Sequence, residues 1–150
     1  MVRIAAAIAA MAVVAAAAAR PASVEHLFRE FDLFGVWAAD CVAAASIDNP
    51  HVSVGMPEPG RVLEQHDFGP GYEANRYVIV AARRISHERL TLETLFEQGQ
   101  QEPQRQRIIL RVEDRHRRTM FNATHGEEPR VLNGIAIATG LPTPILNKCE

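Results

Sequence analysis

Arg89-Leu90-Thr91-Leu92-Glu93-Thr94-Leu95-Phe96-Glu97 and, a short break later, Arg105-Gln106-Arg107-Ile108-Ile109-Leu110-Arg111-Val112-Glu113 decide the fold. In the first run Leu90, Leu92 and Phe96 share one face, opposite Thr91, Glu93 and Glu97. In the second, Ile108, Leu110 and Val112 lie opposite Arg107, Arg111 and Glu113. A period of two belongs to a strand with one face buried and the other in water.

The same punctuation continues on both sides. Strands are expected at Gly35–Val42, His51–Met56, Arg61–Phe68, Glu73–Ile85, Arg89–Glu97, Arg105–Glu113, Arg117–Thr124 and Arg130–Thr139. Breaks such as Asp48-Asn49-Pro50, Pro57-Glu58-Pro59-Gly60, Gly69-Pro70-Gly71 and Asp114-Arg115-His116 supply the residues that turns need. Val131, Ile135 and Ile137 repeat the inward row in the last strand, while Val62 to Phe68 is mixed. Short links leave no crossover helices, so pairing is antiparallel. Closing the meander removes its edges. The expectation is an all-β, eight-stranded antiparallel up-and-down barrel, favoured over a sandwich. Ahead of it, Ser23 to Leu33 reads as one short helix. Ser23 is its N-cap, Val24, Leu27, Phe28 and Phe31 form its apolar stripe, and Gly35 lies beyond its end.

The chain has 150 residues, enough for one domain. Its sixteen Lys+Arg against eighteen Asp+Glu exclude a strongly basic nucleic-acid binder. Fifteen of the sixteen are arginine, with Lys148 the exception. Eleven of the first nineteen residues are alanine. Arg3, the apolar stretch Ile4 to Ala18 and the small residues before Arg20-Pro21 have the anatomy of a secretory signal peptide over 1–19. The stretch is shorter than the roughly 20 apolar residues of a spanning helix. The expectation is therefore a periplasmic or secreted domain over 20–150, with no membrane anchor after cleavage. Cys41 and Cys149 are the only cysteines, and export favours joining them. A loop of ~100 residues closed this way contributes ~4.7 kcal/mol in the chain-entropy account.

Gly35-Val36-Trp37 opens the first expected strand directly after the helix. Here the chain resembles the lipocalin-like (calycin) proteins, which carry G-x-W at that place. It resembles more closely a group of small exported bacterial proteins of unassigned function. Their pattern is matched by Gly35-Val36-Trp37-Ala38-Ala39-Asp40-Cys41, Asn49-Pro50-His51 and Thr143-Pro144-Ile145-Leu146-Asn147-Lys148-Cys149. The resemblance implies that Trp37 closes one end of the barrel beneath the helix. Where lipocalins carry a T-D-Y-like motif before the seventh strand, this chain has Glu113-Asp114-Arg115-His116.

Two functional surfaces stand out. The lumen walls would include Trp37, Leu90, Leu92, Phe96, Ile108, Leu110 and Val112. A hollow lumen would take a small apolar or amphipathic ligand, whereas a filled one is core. The composition leaves both open. The second surface is arginine-rich. Arg107, Arg111, Arg117 and Arg118 lie within twelve positions and are a candidate anion patch, against the plainer reading of a solvated face. The matching alternative function is a filled barrel acting through its exterior, as an envelope interaction protein or an enzyme inhibitor. The six histidines show no ligand spacing, and no metal or cofactor is assigned. Neither a G-x-S-x-G elbow nor a phosphate loop is present, so no residue is assigned to catalysis.

Overall fold

The computed structural model describes residues 22–99 and 101–150. The signal-peptide reading falls on residues outside them. The first described element is helix α1, Val24–Glu30, whose N-cap Ser23 accepts a hydrogen bond from the His26 N–H at 3.1 Å. It is shorter than expected because Asp32 turns left-handed at φ 52°. Leu27 and Phe28 are buried beneath it.

Seven antiparallel strands follow in order: β1 Gly35–Ala38, β2 His51–Glu58, β3 Arg61–Asp67, β4 Asn75–Arg84, β5 Arg89–Glu97, β6 Gln104–Glu113 and β7 His116–Thr124. The remaining three are β8 Val131–Leu132, β9 Ile135–Ala136 and β10 Ile145–Lys148. Strand β10 pairs with β1 through Trp37↔Lys148 and with β7 through Leu146↔Arg117. That double pairing closes an eight-stranded antiparallel barrel from β1 to β7 and β10.

The closing strand is not the expected one. Arg130–Thr139 is folded back on itself, because Asn133 and Gly134 both adopt positive φ, 52° and 75°. Paired left-handed residues give the tight turn that suits a two-residue hairpin. The hairpin β8–β9 pairs with the outer half of β7, through Phe121↔Leu132 and Asn122↔Val131. Val131 and Ile135 are therefore only half-buried and Ile137 is 55 % exposed, so the inward row expected there does not exist. The C-terminal segment supplies the eighth barrel strand instead.

Strand β1 also stops early, at Ala38. The Asp40 carboxylate accepts from the N–H groups of Val42 and Ala43, at 2.9 and 3.2 Å, and bends the chain out of the sheet. These backbone donors hold the Asp40 carboxyl below its ordinary range. Cys41 thus lies in a bend past the end of β1 rather than within the expected strand Gly35–Val42. It is joined to Cys149 by a disulfide across a Cα–Cα distance of 5.4 Å, 108 positions apart in the chain.

Candidate functional site

The inward faces of the strands meet in one continuous core. Trp37, Val62, Leu90 and Thr94 are 0 % exposed, Val52, Leu92 and Gln106 1 %, and Leu110 2 %. A void able to hold water would leave part of its wall exposed to it, and these walls are bare of such surface. The lumen at these levels is filled by the chain's own side chains. Ile108 packs in the same cluster, and Phe96 and Val112 pack half-buried against it. The residues expected to line a ligand cavity therefore form the hydrophobic core.

A charged pair crosses that core. Arg117 on β7 donates to both carboxylate oxygens of Glu64 on β3, at 3.0 and 2.7 Å. The two strands lie four places apart either way round the eight-stranded barrel, so the pair spans the lumen. His66 Nε2 lies 2.7 Å from Glu64 Oε1. Burial alone would raise the Glu64 carboxyl, but Arg117 and His66 together hold it well below the usual carboxylate range. Burial, followed by the Glu64 charge, pushes the Tyr77 hydroxyl up to about 12. Arg117 also faces the Trp37 ring, with Cζ 5.7 Å from its centroid. Trp37 Nε1 donates to the Leu33 carbonyl at 2.8 Å, tying the core to the segment that follows α1. Beyond the ion pair, Asn122 Oδ1 and Thr124 Oγ1 are buried without a hydrogen-bond partner among the described residues.

Arg117 is therefore no member of a surface patch, since it is 4 % exposed and neutralised. The other three candidates separate as well. Arg111 is held by Glu88 at 3.1 Å and Glu113 at 2.7 Å. Arg118 donates to the Gly134 carbonyl at 2.6 Å and to Thr143 Oγ1 at 3.1 Å, anchoring the hairpin to β7. Of the four candidates, only Arg107 faces outward with no carboxylate within 4.0 Å among the described residues.

Arg107 has different company from that expected. It lies over Phe121 of β7, with Cζ 4.9 Å from the ring centroid. Together with Arg105, Glu93 and Ala123 it lines a cleft of about 630 Å³, walled by the loop from His125 to Pro129. That wall exists because the hairpin β8–β9 draws the chain up beside β7. A second cleft of about 460 Å³ continues across β5 to Arg83, Ile85 and Ile109, sharing Glu93 and Arg107 with the first. Arg83 and Arg105 also lack a carboxylate within 4.0 Å among the described residues. The result is one groove across the outer face of β4 to β7, lined by three guanidiniums and one carboxylate, Glu93, that have no ionic partner among the described residues, and by Glu127, which Arg130 holds at 3.4 Å.

The remaining candidates are small. His51 Nε2 lies 3.0 Å from the Ala43 carbonyl, in the β1–β2 loop. Among the described residues no group of three metal-ligating side chains comes together, and no helix is long and apolar enough to cross a membrane. Comparison of the chain with protein-family models, curated proteins and solved structures gave no match.

Proposed function

We propose that this protein is an extracytoplasmic interaction protein, a filled barrel that binds an anionic partner through the outer groove around Arg107. The disulfide and the leader-like first nineteen residues support a place outside the cytoplasm, in the periplasm or beyond. The G-x-W motif and its tryptophan in the barrel core support kinship with the lipocalin-like proteins. The observation that carries the reading is the contrast in cavities: the lumen wall is packed, and the large clefts lie outside.

Arginine suits this role because its planar fork donates in pairs to carboxylate, sulfate or phosphate. The stack on Phe121 holds the Arg107 guanidinium in place before a partner arrives, which lowers the ordering cost of binding. Titration with dextran sulfate tests the reading. Binding should weaken as salt rises, because exposed charges are screened, and should be lost in Arg105→Glu/Arg107→Glu. Unchanged binding by that variant would overturn it.

A further inference from the structure

Resting on that reading, we infer that the partner is an acidic glycan chain, carrying carboxylates and free hydroxyls along its length. Four features of the groove point there.

First, its floor is the middle of a sheet. The strands β4 to β7 are paired to one another along their length, broken only by one-residue bulges at Val80 and Met120, so the floor presents no open strand edge. A peptide could not add to this face as a strand, and its own amides would find no backbone partner. A glycan makes no such demand.

Second, the charges are spaced. Arg105 and Arg107 are two positions apart on one face of β6, roughly 7 Å at strand rise. Arg83 stands two strands away, opposite Thr91 of β5. A chain with a carboxylate on successive units can meet more than one of them, whereas a lone small anion cannot.

Third, Glu93 lies between the arginines, its Cα facing that of Arg107 across the strand pair. An unpaired carboxylate in the floor repels a compact cluster of anions. It accepts hydrogen bonds from hydroxyls, which an acidic sugar supplies beside its own carboxylate.

Fourth, the groove is recessed between the His125–Pro129 wall and β4. Its length across four strands is about 14 Å, three inter-strand spacings. A chain can enter it, and a flat bilayer surface cannot. Phe121 adds an apolar surface against which the C–H face of a sugar ring can lie.

The experiment titrates the disulfide-bonded protein with polygalacturonate, with poly-glutamate of similar length, and with anionic phosphatidylglycerol vesicles, at one ionic strength. Polygalacturonate should bind about tenfold more tightly than either competitor, a difference of about 1.4 kcal/mol. Arg105→Glu/Arg107→Glu should abolish the binding, while Arg111→Ala, whose arginine is already paired, should leave it intact. Matching melting curves for the variants would establish that the fold survives. Equal or tighter binding of poly-glutamate or vesicles would overturn the glycan assignment while the anionic groove stands. Failure of every polyanion, dextran sulfate included, would overturn the groove itself.

Discussion

Arg107 and Arg117 stand on neighbouring strands and do opposite work. Arg117 points inward, is almost wholly buried and is bound by both its forks to Glu64. Arg107 points outward, lies on Phe121 and has no carboxylate partner within 4.0 Å among the described residues. One strand face separates a brace inside the core from a free cation in a groove. The guanidinium is the same in both. What differs is whether desolvation has already been matched by a partner, and a matched charge has nothing left to offer a ligand.

The largest expected effect breaks the inner half of that comparison. Arg117→Met leaves the Glu64 carboxylate buried without its partner and should cost about 3–5 kcal/mol in urea denaturation. Glu64→Leu combined with Arg117→Met should recover most of the loss, since a packed apolar pair of similar volume avoids desolvation altogether. A pair worth keeping for stability alone would show no recovery. The pH dependence has a definite sign. Glu64 ionises more readily folded than unfolded, so its contribution is present above its ordinary value of 4.5. The contribution is lost as pH falls from there toward the lower folded value. The stability gap between the natural protein and Glu64→Gln should therefore narrow between pH 5 and pH 3, by urea titration at each pH. A constant gap would show that the carboxylate is not held ionised in the fold.

Next in size is the seam. Cys41→Ser/Cys149→Ser removes the tie between the start of the barrel and its last residues, and should cost about 2–5 kcal/mol. A change within error would mean that β10 is held by its two strand pairings alone. Smaller again, Gly134→Ala places a Cβ at φ +75° within 3.0 Å of the Arg118 guanidinium. It should destabilise by about 1 kcal/mol and speed amide exchange at the hairpin. Smallest of all, Arg107→Glu should move the folding free energy by less than about 0.5 kcal/mol, as an exposed substitution does. Its effect belongs to binding.

The strands that decide the fold were legible because period two survives wherever one face meets water and the other meets core. The run Leu90 to Phe96 and the run Ile108 to Val112 pack as their alternation required. The eighth strand was misplaced because Val131, Ile135 and Ile137 look alternating. The Asn133-Gly134 dipeptide between them, a strong short-range hairpin signal, outweighs that alternation. The inward turn of Arg117 was also present in the sequence. Asp114-Arg115 is a two-residue turn, both members at positive φ, and sets Glu113 against His116. Val112 then faces Arg117, and directly opposed residues share a side of the sheet. The partner Glu64 was not legible, since nothing local links β3 to a strand four places round the barrel. The groove was half legible: Arg107 was marked, but Phe121 and the His125–Pro129 wall depend on where the hairpin lies.

Amide and arginine side-chain NMR shifts during titration with low-molecular-weight dextran sulfate test the central claim most directly. Shifts should concentrate on Arg105, Arg107, Phe121 and the loop from His125 to Pro129, with Leu90, Leu92, Leu110 and the Arg117 side chain unmoved. Shifts concentrated on those inward residues, with Arg107 silent, would contradict it and place the binding site in the lumen.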